Sequence, residues 1–159
     1  GRLRLDCGSP IASPLALGRP GAVMHGLHLI AELYDCRCEA RFLDDVATLQ
    51  ETCLAVCSTP GLTPVAQAFH QFGSAREPAG ATGAVILAES HLAVHTWPEV
   101  RAVTLDLYVC NFSQDNSAAA RLACDRLIRA FAPCRVVQRE LARGVPDAVA
   151  APGRVGGSE

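Results

Sequence analysis

The chain has 159 residues, 50% of them hydrophobic and 19% charged, with a formal net charge of -2. That length holds one core-bearing domain and is short for two, and the near-neutral charge does not mark a nucleic-acid or polyanion binder, so a small or neutral partner is expected. Every basic side chain is arginine, which excludes a lysine Schiff base to pyridoxal phosphate and lysine-based aldol or amine chemistry.

Residues 1–23 are rich in Gly, Pro, Arg and Ser without a sustained period, and they read as a flexible N-terminal extension before a domain at 24–143. Met24 is the only methionine and directly precedes the first apolar run. Residues 27–34 are strand-length and apolar apart from His28 and Glu32, ending at the turn-like Asp35. Residues 41–57 place Phe42, Val46, Leu49, Cys53 and Cys57 at helical spacing, with Asp44 and Asp45 near the start where the helix dipole favours acids. Pro60 and Gly61 stop that helix.

A strand is expected at 65–72, because Pro64 at its beginning removes no interior ladder donor, and a Gly/Pro loop at 73–80 follows. Short strands are expected at 84–88 and 91–97. Residues 102–110 alternate cleanly: Val103, Leu105, Leu107 and Val109 face one way, Thr104, Asp106, Tyr108 and Cys110 the other. A second amphipathic helix spans 115–131, with Ala120, Ala123, Cys124, Leu127, Ile128 and Phe131 as its apolar stripe and Asp115, Asn116 and Ser117 as competent caps. A last strand at about 134–141 precedes a flexible tail at 144–159. The order predicts an α+β two-layer sandwich, a mainly antiparallel sheet with helices packed on one face.

The sequence shows no charged segment leading into an apolar signal core and no apolar run of bilayer length. The expectation is a soluble, cytoplasmic protein without a membrane partner. Its eight cysteines lack the repeated Cys-x2-Cys spacing of structural zinc and read as reduced thiols filling small core spaces.

Residues 89–99 read ESHLAVHTWPE, with Cys110 fifteen residues beyond His95. Ser90 could be a serine nucleophile with His91 or His95 as base and Glu89 or Asp106 as orienter, although no Gly-x-Ser-x-Gly elbow is present. A metal site on His91, His95 and Cys110 is disfavoured, because two strand residues four apart lie about 13 Å from each other; no metal is expected. Each of these side chains alone suits a half-buried strand position, Trp97 in the core and Cys110 as a small hydrophobe. Gathered in so short a span, acid, base and thiol groups indicate a site.

ESHLAVHTWPE followed by LDLYVC at 105–110 resembles the processing and active-site signature of prokaryotic S-adenosylmethionine decarboxylases, which are pyruvoyl enzymes of polyamine biosynthesis. GLHLIAELYDC at 26–36 is similar to the family's opening strand, FHQF at 69–72 to its FHRF-type segment, and Gly80-x-Thr82-Gly83 to its Gly-x-Ser-Gly; the likeness covers about residues 24–143. The resemblance implies self-cleavage between Glu89 and Ser90, with Ser90 converted into a pyruvoyl group that forms a Schiff base with the substrate amine. It implies that His95 transfers protons in processing and Thr82 assists it, that Cys110 is the proton donor in turnover, and that Phe72 stacks on adenine while Glu99 binds ribose hydroxyls. The implied substrate is S-adenosylmethionine, its product the aminopropyl donor for spermidine biosynthesis, and the implied assembly a homodimer of cleaved protomers with sites near the interface. Two departures stand out: residues 73–76 lengthen the loop after Phe72, and Gln71 replaces a common arginine. A pyruvoyl-dependent arginine or ornithine decarboxylase, and an unprocessed homologue acting as a binding or assembly subunit, are the alternatives.

Overall fold

The computed structural model describes residues 25–58, 61–74 and 76–144. Both flanking segments read from the sequence therefore lie outside the described residues, apart from Gly144, which closes the last strand opposite His25. Strands β1 (His25–Tyr34), β2 (Pro64–Gly73), β3 (Pro78–Leu87), β4 (Ser90–Trp97), β5 (Ala102–Cys110) and β6 (Arg135–Gly144) form one sheet in the order β2-β3-β4-β5-β1-β6, with every neighbouring pair antiparallel. Helices α1 (Arg41–Asp44), α2 (Val46–Cys57) and α3 (Ser117–Phe131) cover one face. The predicted two-layer α+β sandwich is the fold.

Strand alternation explains which face closes. Leu27, Leu29, Ala31 and Leu33 of β1 and Val103, Leu105, Leu107 and Val109 of β5 are buried beneath the helices, together with Leu127 and Phe131 of α3. Each such Leu or Phe contributes about 1.5–3 kcal/mol of burial. Cys36, Cys53, Cys57 and Cys124 lie fully buried in the same core. Burial pushes the Cys53 thiol up to about 12 and the Cys57 and Cys124 thiols up to about 11. They are space-filling groups, as expected from the sequence, and their raised pKa values keep them protonated and unreactive. The intervening residues, among them His28, Thr104, Asp106, Tyr108, His91, His95 and Thr82, line the opposite, open face.

Two elements differ from the sequence reading. The helix read over 41–57 breaks at Asp45, whose backbone is extended and whose carboxylate accepts the Thr48 N–H (2.8 Å) and hydroxyl (2.5 Å); a capping aspartate starts a new helix instead of continuing an old one. The loop read over 73–80 shrinks to a short turn, and β3 begins at Pro78. Gly80 permits this with φ 101°, letting the chain pass against the Thr96 carbonyl and Pro98, where a Cβ would stand 2.5 and 2.8 Å from them. Gln71, on the helix-facing side of β2, ties the region together by donating to the Asp44 and Gly80 carbonyls and accepting from the Val46 N–H. Its amide thus joins the helix start to the hairpin.

Candidate active site

Leu87 pairs with Ser90 across a tight hairpin whose tip is Ala88 and Glu89. The Ala88 N–H donates to the Thr63 carbonyl (2.9 Å), and the Glu89 carboxylate accepts the Ser113 N–H (3.4 Å). Ser90 accepts the Cys110 N–H on Oγ (3.3 Å). Ala88, Glu89, Ser90 and Ser113 border a cavity of about 80 Å³ together with Gly61, Leu62 and Asn116. Asn116 is buried and donates to the Cys110 carbonyl (3.3 Å), fixing the end of β5 to the start of α3. Because its amide is committed there and to Gln114, it provides no side-chain cap for the helix. One end of the sheet thus gathers Glu89, Ser90 and Cys110.

Thr82 and His95 meet elsewhere. They are direct partners across β3 and β4, and Thr82 Oγ1 lies 2.6 Å from His95 Nδ1. Phe69, His70, Gly83, Ala84 and Ala93 complete a hollow of about 290 Å³ around them. Gly83 is required here by close approach: a Cβ would stand 2.0 Å from Phe69 Cδ1. Phe72 is exposed on β2 with its ring 5.2 Å from His70, and Glu99 is exposed on the 3-10 turn Pro98–Val100. Since Gly80 packs on Pro98, the Phe72 hairpin and the Glu99 turn flank the same end of the sheet.

The seven residues singled out in the sequence therefore form two groups. Ser90 pairs with Val109 while His95 pairs with Thr104, so they occupy opposite faces of β4, about 16 Å apart at ~3.3 Å per residue. His91 is not joined to His95; it lies against Tyr108, ring centroids 5.7 Å apart. Among the described residues, no three His, Cys, Asp or Glu side chains gather into a metal-binding set. His70, the cross-strand partner of Thr82, and Asn116 escaped the sequence reading. Their sequence signals were a place inside FHQF for the first and a capping position for the second, and neither assigned the residue a role in a site.

The chain is an antiparallel α+β sandwich with a Glu-Ser bond at a hairpin tip, the Cys110 backbone hydrogen-bonded to that serine and a hydroxyl-imidazole pair on the open face. The S-adenosylmethionine decarboxylase family profile matches residues 27–144. An S-adenosylmethionine decarboxylase proenzyme of Aquifex aeolicus is 38% identical over 120 residues, 76% of this chain and 82% of that one. The proenzyme of Pseudomonas paraeruginosa is 38% identical over 102 residues, 64% of this chain and 60% of its own length. The match thus spans less than two thirds of the Pseudomonas relative. The crystal structure of the Aquifex aeolicus adenosylmethionine decarboxylase superposes with a TM-score of 0.65 at 32% identity, covering 76% of this chain and 91% of that one. The chain belongs to the S-adenosylmethionine decarboxylase family. Among the described residues, no helix is long and apolar enough to cross a membrane.

Proposed function

We propose that this protein is a self-processing S-adenosylmethionine decarboxylase that makes the aminopropyl donor for spermidine biosynthesis. The observation that carries the proposal is the Glu89–Ser90 bond at the tip of the β3-β4 hairpin, with Cys110 hydrogen-bonded beside it. In processing, Ser90 Oγ attacks the Glu89 carbonyl and an ester replaces the amide. Loss of the Cα proton then expels the Glu89 carboxylate, and water displaces ammonia from the former serine. The donor set suits the resulting pyruvoyl group, because residue 90 becomes a new chain start beside the Cys110 backbone N–H, at a cavity lined by the buried Asn116. That group supplies the carbonyl that takes the substrate amine and the electron sink for loss of carbon dioxide. Cys110 gives its proton to the substrate carbon. Phe72 stacks on the adenine and Glu99 accepts from the ribose hydroxyls.

His95 and Thr82 act in processing, yet within one chain they face away from Ser90. A two-fold dimer resolves this by bringing the Glu89, Ser90 and Cys110 group of one protomer to the Thr82, His95, Phe72 and Glu99 group of its partner, once at each of two equivalent sites. The working form is accordingly a homodimer of cleaved protomers in the cytoplasm, a reducing setting in keeping with unpaired thiols in the core. Intact mass and carbon dioxide release test the reading together. The expected result is two chains, 1–89 and 90–159, the second carrying a ketone, with release from carboxyl-labelled S-adenosylmethionine. A single uncleaved chain after prolonged incubation rejects processing in favour of an unprocessed subunit, and release only from arginine or ornithine rejects the substrate.

A further inference from the structure

The open face of the sheet carries a group of side chains that neither processing nor substrate binding has used. Tyr108 stands on β5 between its cross-strand partners His28 on β1 and His91 on β4. It meets both rings at a distance, with centroids 6.0 and 5.7 Å away. His28 is itself engaged, with Nε2 2.8 Å from Asp106 Oδ1. The Tyr108 ring leans along the sheet instead, over Gly26. A Cβ on Gly26 would meet Tyr108 Cε2 at 2.7 Å and the phenol oxygen at 2.8 Å.

Gly26 is the residue that pairs with Cys110 across β1 and β5. The phenol oxygen therefore lies in the row of Cys110, on the face that Tyr108 and Cys110 share as residues two apart on one strand. Arg143 of β6, the other partner of Gly26, lays its guanidinium over the ring with Cζ 4.7 Å from the centroid. The ring is clamped between backbone below and cation above, with its hydroxyl aimed at the thiol. Burial, followed by the neighbouring Cys110, pushes the phenol above its ordinary value, so it keeps its proton. A residue as poor in strands as glycine earns its place at position 26 by making room for this ring.

We propose that Tyr108 is the positioning residue of the proton-donating thiol: its O–H donates a hydrogen bond to Cys110 Sγ and holds that sulfur in place as it gives up its proton. The proposal rests on the decarboxylase reading for the identity of the acceptor. The S–H proton passes to the substrate carbon that has lost carbon dioxide, and the electron pair stays on sulfur. The phenol hydrogen bond stabilises the thiolate, which recovers a proton from water before the next turnover.

Tyr108→Phe removes the hydroxyl and keeps the ring on Gly26 and under Arg143. Iodoacetamide reacts with the thiolate, so peptide mass spectrometry of alkylated Cys110 reads the hydrogen bond directly, before any substrate is added. In Tyr108→Phe at fixed pH, Cys110 alkylation slows by about three- to tenfold, the effect of one hydrogen bond of ordinary net strength, while that of the exposed Cys134 is unchanged. The kcat for decarboxylation falls by a similar factor with KM and the rate of Glu89–Ser90 cleavage unchanged. Gly26→Ala, which displaces the phenol and leaves both reacting partners intact, slows Cys110 alkylation in the same way. Equal Cys110 alkylation rates in the parent protein and Tyr108→Phe overturn the proposal. If the parent protein fails to decarboxylate S-adenosylmethionine, the functional reading falls while the alkylation ratio still decides the Tyr108–Cys110 pair.

Discussion

Processing by a residue of the partner protomer can be tested by complementation between two dead chains. Ser90 and His95 are five residues apart on β4 and face opposite ways, a separation of about 16 Å, whereas proton transfer needs heavy atoms within about 3 Å. A chain carrying Ser90→Ala has an intact His95 and nothing to cleave. A chain carrying His95→Gln has an intact Glu89–Ser90 bond and no base. Expressed alone, each stays full length. Expressed together in equal amounts with different affinity tags, they pair at random, and about half of the dimers are mixed. In each mixed dimer one site combines the Ser90 of one chain with the His95 of the other. About half of the His95→Gln chains should then be cleaved, and none of the Ser90→Ala chains, as read by tag-specific blotting of a denaturing gel. Mixed dimers that pull down through both tags yet contain only full-length chains would refute the argument.

Three further outcomes follow from packing and capping. Phe131→Ala removes the largest fully buried side chain among the described residues and should cost about 3–5 kcal/mol in urea unfolding. Gly83→Ala places a methyl 2.0 Å from Phe69 Cδ1. The ring must shift from its place against the core, at about 1–3 kcal/mol, and circular dichroism during urea titration should show a lower midpoint with an unchanged slope. Asp45→Ala removes the α2 cap and should cost about 1 kcal/mol at neutral pH. The Thr48 hydroxyl, with the Thr48 N–H, holds the Asp45 carboxyl below its usual value. Its stabilisation is therefore fully present above the unfolded carboxyl pKa of about 3.9 and is lost as pH falls through the lower folded value. The gap between parent and variant midpoints should close at strongly acid pH; a gap that persists there contradicts the cap assignment.

Much of the fold was legible because alternation and helical spacing report burial directly. Residues 103–110 show it best, each side chain lying on the face that its alternation predicts. What failed was punctuation. Asp45 favours a helix start as strongly as it favours the first turn of a helix already begun, and only the Thr48 contacts decide between them. Pro78, Ala79 and Gly80 have poor strand propensity, so β3 looked shorter than it is. Its extension comes from pairing with β2, a tertiary effect that overrides local preference. Within the candidate site, the motif announced individual residues but not their partners. Thr82 and His95 are thirteen positions apart and touch only because β3 and β4 fold back at Ala88 and Glu89. Tyr108 was visible as a neighbour of Cys110 in sequence, but its lean over Gly26 depends on the β1-β5 register.

Strand parity also bears on what the proposed cleavage would do to residue 90. Before the cut, Ser90 is the first residue of β4, held by the Leu87 pairing on one side and by Val109 on the other. Its side chain is thereby committed to the helix-facing side, toward the cavity that contains Glu89, Ser113 and Asn116. That direction suits attack on the preceding carbonyl, because serine and scissile bond share one tight turn. It does not suit reaction with a substrate approaching from the open face, where Cys110 and Tyr108 lie. Cutting the bond would remove the covalent turn that fixes the parity, and residue 90 would lose both its chirality and its backbone N–H on becoming the proposed ketone. A terminal group free of the hairpin can turn at the end of β4 toward the Cys110 row without disturbing residues 91–95, which remain paired on both sides. In the proposed processing, the same bond break that would make the reactive carbonyl would also free it to change faces, so one hairpin could position a nucleophile for maturation and a chain terminus for turnover.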